Sequence, residues 1–271
     1  MILTCPECSK GQLIDDIEEG VLIYSCENCG WGKSIEDFFY VTAWNIELKQ
    51  ALTPVDILHS VLTGSEKVNI VRKNINGISY LNDCKDFSDE YFDGEINIAH
   101  QIYLKQMIVL ATSYLELMLK DFFRCQFISN PSRMNQYLSK DKNGKAQISL
   151  NDIIREPSKE ALIKKLAEQA ASQAIDPKFD KTIYKIISKG KIKIDKPTFI
   201  DDIRNLNELR NRIVHEVTKE QVEIDQVYSS FGLIIYLLFI LEQAAIINKV
   251  PYFDEFGFYE EIMSQLSDNK E

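Results

Sequence analysis

The stretch Leu209-Arg210-Asn211-Arg212-Ile213-Val214-His215-Glu216 lies within a clear amphipathic pattern. Apolar residues recur there every three or four positions, which predicts an α-helix with one buried stripe. These residues are Ile200, Ile203, Leu206, Leu209 and Ile213. At 100° per residue, Asn211 lies about 100° and His215 about 140° from Arg210, whereas Leu206, Leu209 and Ile213 lie at about 260–320°. We therefore expect Arg210, Asn211 and His215 on one polar side of the helix.

These three residue types suit a metal-independent attack on a phosphodiester. Histidine has a reference pKa of about 6.5, so its imidazole accepts or donates a proton near neutral pH. The arginine guanidinium offers a fork of donors that matches phosphate oxygens, and asparagine orients a ribose, a phosphate or the imidazole. A second interpretation stays open, in which Arg210 and His215 make surface ion pairs with Glu208 or Glu216.

The spacing Arg210-Asn211-x-x-x-His215, late in a helical segment, resembles the R-[polar]-x-x-x-H signature of HEPN domains. The resemblance covers roughly residues 95–248, although the motif match itself is six residues long. Many HEPN domains are ribonucleases of toxin–antitoxin, abortive-infection and CRISPR systems. The resemblance implies that two protomers bring their motifs together and cut RNA without a metal ion, leaving a 2′,3′-cyclic phosphate.

A second motif lies at the start of the chain, where Cys5, Cys8, Cys26 and Cys29 form a C-x2-C-x17-C-x2-C pattern. A two-residue gap lets one tight turn direct two thiolates at one ion, and two such turns complete the tetrahedron that zinc prefers. Gly30 permits the positive φ that these turns often need. Short strands are expected around residues 12–14 and 21–24, with a turn at 18–20. Residues 1–33 therefore resemble a zinc ribbon with a structural Zn²⁺; two disulfides are the alternative.

The role of this ribbon stays open. Trp31 and Lys33 suit stacking on a base and binding a phosphate, whereas Trp31 equally suits the small core of the ribbon. Residues 12–27 contain five acidic residues and no lysine or arginine, which favours the core role because such a surface repels RNA.

Residues 34–94 form a connecting region of uncertain structure. The sequence Thr53-Pro54 predicts the start of a second short helix with Pro54 in its first position, and the acidic, turn-rich residues 85–94 suggest a linker. Residues 95–250 read as the helical domain and residues 251–271 as a C-terminal tail. The expected fold class is mostly α, with a small β zinc ribbon followed by an all-α HEPN-like bundle.

Composition limits the partners and the compartment. The net charge is −10 and the sequence pI is about 5.0, which argues against a protein that coats nucleic acid nonspecifically. The start of the chain has no basic segment followed by an apolar run, so we expect no signal peptide. The apolar run at residues 231–241 is too short to span a bilayer and predicts a buried helix. These features favour a cytoplasmic protein without a membrane partner.

A lysine-rich segment precedes the motif helix. Between residues 178 and 196 seven lysines stand against two aspartates, which gives a local charge of +5. Such a segment suits phosphate contacts without base specificity, although a charged run is also typical of a solvated surface. The candidate RNA contacts are Lys185, Lys189, Lys191 and Lys193.

Together these features suggest a homodimeric endoribonuclease of toxin or antiphage-defence type. His215 would act as general base or acid, Arg210 would bind the phosphate, and Asn211 would orient the substrate or the histidine. An antitoxin or a defence-system partner is also implied by the resemblance. The alternative is a non-catalytic HEPN scaffold for nucleotide binding or dimerisation, in which the ribbon binds a partner or nucleic acid.

Overall fold

The computed structural model describes residues 5, 7–8, 13–18, 21–63, 89–138, 148, 150–215 and 220–254. Within this part of the chain a small antiparallel sheet precedes a body of α-helices. The helices are α1 (Val41–Thr63), α2 (Asp89–Ser129), α3 (Leu150–Arg155), α4 (Lys159–Ala174), α5 (Phe179–Gly190), α6 (Phe199–His215) and α7 (Ile224–Asn248). The expected fold class, a small N-terminal β structure followed by an all-α bundle, is confirmed.

The N-terminal sheet has three antiparallel strands, β1 (Leu13–Glu18), β2 (Val21–Cys26) and β3 (Gly32–Ser34). The two predicted strands are therefore confirmed, while residues 19–20 of the predicted turn lie outside the described residues. A two-stranded parallel pair, β4 (Phe39–Tyr40) with β5 (Tyr252–Phe253), joins distant parts of the chain. The segment from residue 251 thus contributes a strand next to the N-terminal region.

The body is organised around α7 and the parallel helix α2. Gln101 contacts Val222 just before α7, and Tyr114 lies 6.4 Å from Phe231 between ring centroids. The two helices therefore advance in the same direction. Helix α4 packs along α2, and α6 packs against both α2 and α5.

Helix α7 is the central core helix, as its apolar run predicted. Phe231, Ile234, Leu237 and Leu241 are completely buried. By length and composition alone, α7 and residues 97–129 of α2 are apolar enough to cross a membrane. However, 61% of the most apolar window of α7 and 44% of that of α2 are buried inside the protein, and the core helix of a soluble protein passes the same test.

Helix α1 corrects the prediction that Pro54 starts a new helix. The helix begins at Val41 and continues through Pro54, which is exposed in its interior. Proline removes one backbone hydrogen bond there, but Leu48 and Val55 are fully buried on either side of it. Burial of this apolar face stabilises the helix enough to tolerate the proline.

The predicted linker at residues 85–94 is also wrong in part. Helix α2 already begins at Asp89, so residues 89–94 are helical, and residues 85–88 lie outside the described part. The acidic residues that suggested a linker instead form the first turns of a 41-residue helix.

The sheet packs on the helical body through residues 36–38. Arg124 of α2 donates a hydrogen bond of 2.9 Å to the carbonyl oxygen of Glu36, and Lys164 of α4 makes a 2.9 Å ion pair with the buried Asp37. Phe38 is buried, with its ring centroid 6.0 Å from that of Trp31. Trp31 therefore contributes to the apolar joint between sheet and body.

Candidate functional site

The four predicted metal ligands come together. The Sγ atoms of Cys5, Cys8, Cys26 and Cys29 all lie within 4.8 Å of one another. The Cys5–Cys29 and Cys8–Cys26 Sγ distances are both 3.7 Å. Four thiolates about 2.3 Å from a central zinc ion would stand about 3.8 Å apart at the corners of a tetrahedron. The cluster therefore fits a metal ion of this size.

The backbone around the second cysteine pair forms a tight turn. The amide of Gly30 donates to the carbonyl oxygen of Cys26 at 2.9 Å, and Gly30 has a φ of 70°, as its sequence position predicted. Asn28 donates a 3.5 Å hydrogen bond to the Cys8 sulfur, a contact of the kind that orients a metal ligand.

The four sulfurs also affect one another's ionisation. A backbone hydrogen bond from Trp31 lowers the pKa of the Cys29 thiol, but desolvation and the three neighbouring cysteines outweigh it and raise that pKa to about 12. Burial similarly raises the pKa of Cys5. A bound cation would reverse this effect because it stabilises thiolates directly.

The motif residues lie at the C-terminal end of α6. Ile203, Leu206 and Leu209 are buried, so the predicted core stripe is confirmed. On the other side, Arg210 is half-buried and donates a 3.0 Å hydrogen bond from Nη1 to Oδ1 of Asn211, which is exposed.

His215 is the last residue of α6, and its side chain is exposed. It lies about 7.5 Å beyond Arg210 along the helix axis. Among the described residues no hydrogen bond joins it to Arg210 or Asn211. The structure thus pairs the arginine with the asparagine and leaves the imidazole open at the helix end; Glu216 lies outside the described residues.

Arg212 points to a different partner. Its Nη2 atom makes a 3.1 Å ion pair with Glu220, which ties the end of α6 to the segment before α7. The same segment is held by Gln101 of α2, whose side-chain amide donates to the carbonyl oxygen of Val222 and whose oxygen accepts from the Val222 amide, both at 3.1 Å. Sequence reasoning missed Gln101 because its partner is 121 residues away.

The lysine-rich segment is exposed along its length, at Lys178, Lys181, Lys185, Lys189, Lys191, Lys193 and Lys196. Helix α5 runs antiparallel to α6: Asp180 pairs with Arg204 at 3.2 Å, and the carbonyl of Pro177 accepts from Asn207 at 3.4 Å. The later lysines are therefore level with the start of α6, whereas His215 is at its end.

The length of α6 sets the distance between the lysines and the motif. From Phe199 to His215 the helix rises about 24 Å. Lys185, Lys189, Lys191 and Lys193 therefore do not surround His215 within one protomer. Lys196 is already engaged by Asp202 in a 2.8 Å ion pair, and Lys191 ends α5 in the left-handed conformation with a φ of 51°.

The family model described as RiboL-PSP-HEPN matches residues 73–245. The chain belongs to the HEPN family. The match contains helices α2 to α6 and nearly all of α7, so the motif at 210–215 lies inside the HEPN domain. No curated protein and no solved structure matches the chain.

Membership of the HEPN family limits the general function of the helical domain. HEPN domains are generally nucleases or nucleotide-binding domains, and many of them associate in pairs. The cysteine cluster at residues 5–29 lies outside the HEPN match, so it is an addition to the domain.

Proposed function

We propose that this HEPN protein is a metal-independent endoribonuclease that acts as a homodimer. The observation that supports it best is the face at the end of α6, inside the HEPN match, on which Asn211 and His215 are exposed and Arg210 is half-buried. An arginine that binds phosphate and a titratable imidazole at a solvent-accessible helix end are the groups that RNA transesterification needs.

The reaction can be assigned to these side chains. The ribose 2′-oxygen attacks the adjacent phosphorus as its proton passes to a base, and the bond from phosphorus to the 5′-oxygen breaks as that oxygen receives a proton. The products are a 2′,3′-cyclic phosphate and a 5′-hydroxyl. His215 supplies the base or the acid, and Arg210 binds the phosphoryl oxygens as negative charge develops. Asn211 accepts from Arg210 through Oδ1, so its Nδ2 can donate to the substrate.

A second protomer would supply the second imidazole that a single protomer lacks. Two imidazoles allow one to act as base and the other as acid. The end of the bundle near His215 also exposes apolar side chains: Val214 is 41% exposed, and on α2 Ile98 and Ile102 are 57% and 51% exposed, close to the Gln101–Val222 contact. An apolar surface beside the motif supports docking of a second copy there.

The lysines of α5 and of the segment after it extend this interface. Because Lys185, Lys189, Lys191 and Lys193 are level with the start of α6, an RNA strand that contacts them and His215 would run along the length of α6. These contacts orient the strand and do not select a sequence. The cysteine cluster would hold a structural Zn²⁺, and the protein would work in the cytoplasm as a toxin or an antiphage effector, with an antitoxin or defence partner controlling it.

The test measures cleavage of total RNA in EDTA by the wild type and by His215→Ala, Arg210→Ala and Asn211→Ala. The control for Asn211→Ala is Asn205→Ala, which changes an exposed asparagine on the same helix. Bound zinc is measured in each sample because chelation of the ribbon metal could unfold it. We expect cleavage by the wild type and by Asn205→Ala, with cyclic-phosphate ends, and its loss in His215→Ala and Arg210→Ala. Equal cleavage by the wild type and His215→Ala would refute the assignment.

A non-catalytic HEPN scaffold is the second candidate function. It is favoured by one observation: within the described residues nothing hydrogen-bonds the His215 ring to fix its tautomer, as a catalytic histidine usually requires. This function predicts no cleavage by a folded, dimeric wild-type protein, together with measurable nucleotide binding that Arg210→Ala weakens.

A further inference from the structure

The chain that follows α7 connects the helical body to the ribbon. We call residues 249–254 the C-terminal strap. The amide of Phe39 donates a 2.8 Å hydrogen bond to the carbonyl oxygen of Pro251, and β5 continues this pairing next to β4. Phe253 is buried, with its ring centroid 4.7 Å from that of Tyr40 and 5.9 Å from that of Tyr24 in β2. The strap therefore contacts the ribbon directly.

A pair of carboxyl groups lies where the strap meets α7. Glu242 lies within an apolar helix and is only 4% exposed. Its carboxyl group is hydrogen-bonded to that of Asp254. Thr42 at the start of α1 donates a 3.5 Å hydrogen bond to Oδ1 of Asp254. Two carboxyl groups can share a hydrogen bond only when one of them carries a proton.

The packing of α1 on α7 determines which side chains of α1 face this pair. Tyr228 near the start of α7 donates a 2.6 Å hydrogen bond to Asp56, and β4 before α1 pairs with β5 after α7. The two helices are therefore antiparallel, and Thr42 is level with Glu242. On that face α1 offers Thr42 and the buried Asn45, neither of which titrates. The titratable groups that face Glu242 among the described residues are Asp254 and Tyr252, and the pKa of Tyr252 is itself raised by burial and by these two carboxylates.

The surroundings of Glu242 favour the neutral form of its carboxyl group. Burial, and then the charge and hydrogen bond of Asp254, raise the pKa of Glu242 from 4.5 to about 7. Below that pH the carboxyl group is neutral and bonded to Asp254. Above it both groups are ionised in a poorly solvated place, where like charges repel strongly.

We propose that the Glu242–Asp254 pair is a proton-operated latch that holds the C-terminal strap, and through Phe253 the ribbon, against the helical body. Loss of the shared proton to solvent opens the latch, so Phe253 leaves Tyr24 and Tyr40 and the ribbon becomes free to move. The latch is separate from the motif on α6 and goes beyond the proposed ribonuclease function.

Amide hydrogen exchange on the full chain with its metal tests the latch. Peptides that contain the strap and strand β2 are followed between pH 4 and pH 9, with rates corrected for intrinsic exchange. In the wild type we expect the opening equilibrium of both peptides to rise by up to tenfold per pH unit between about pH 4.5, the ordinary pKa of a solvated glutamate, and about pH 7, and to level off above pH 7. In Glu242→Gln, whose amide donates to Asp254 at every pH, both peptides stay protected and independent of pH.

Two further variants keep the test decisive. Glu116→Gln removes an exposed glutamate of α2 and should behave as the wild type does. Asp254→Asn removes the like charge and should move the transition to lower pH or abolish it, which provides a readout if Glu242→Gln does not fold. Corrected exchange that is independent of pH in the wild type, or an unchanged pH dependence in Glu242→Gln, would overturn the proposal.

Discussion

Replacing Gln101 by alanine removes both hydrogen bonds that hold the backbone of Val222. Val222 is fully buried, so its amide and carbonyl lose their protein partners with little access to water. A buried polar group left without a partner costs about 1–3 kcal/mol. Allowing for partial access of water to one group, we expect Gln101→Ala to lower the free energy of unfolding by about 2–4 kcal/mol.

The matched control is Gln106→Ala, which shortens an exposed glutamine in the same helix. Gln101→Glu provides a graded test because it keeps the acceptor for the Val222 amide and loses the donor for the carbonyl. We expect it to cost about half as much as Gln101→Ala. Denaturant unfolding followed by circular dichroism measures all three variants, and an unchanged m-value shows that the unfolding transition remains the same.

The same variants report on the motif. Val222 and Glu220 follow the end of α6, so a loosened segment should also displace His215. Under the proposed function we expect reduced RNA cleavage, in contrast to the complete loss expected for His215→Ala. A loss in Gln101→Ala within 0.5 kcal/mol of that in Gln106→Ala, where surface substitutions usually fall, would refute this reasoning.

Three further predictions follow from the sites described above. Cys26→Ser should abolish binding of one zinc per chain and change Trp31 fluorescence while leaving the helical circular dichroism signal nearly intact; metal analysis and both spectra check this, and full zinc occupancy would contradict it. Because the pKa of Glu242 is raised to about 7, the stability that its protonated carboxyl group contributes is fully present below pH 4.5 and is lost as pH rises through 7. Glu242→Gln should therefore be more stable than the wild type at pH 8 by up to about 3 kcal/mol, from 1.36 kcal/mol per pKa unit, and equal stability of the two in thermal unfolding would count against it. Changing the four candidate RNA-binding lysines to glutamine should reduce the slope of log affinity against log salt by about 0.7 for each phosphate they contact; an unchanged slope would remove them from the interface.

The sequence determined the local features of this protein because their information is short-range. Two pairs of cysteines, each with a two-residue gap, predict the tight turns of a candidate metal site, and apolar residues at helical spacing predict the buried stripe of α6. Ser158 is a local signal of the same kind, because its hydroxyl accepts a hydrogen bond from the amide of Ala161 and caps the start of α4. The side of α6 on which Arg210 and Asn211 lie follows from the same periodicity.

The tertiary structure decided which distant groups meet. The sequence predicted a helix start at Pro54, whereas in the fold the packing of α1 on α7 compensates for the hydrogen bond that the proline removes. In the sequence Glu242 is a single acid in an apolar run, whereas in the fold the strap places Asp254 beside it. The lysines precede the motif closely in the sequence but lie toward the other end of α6 in space. Residue spacing is set by covalent geometry within an element, whereas the partner of a side chain on another element depends on how the elements pack, and no local pattern records that.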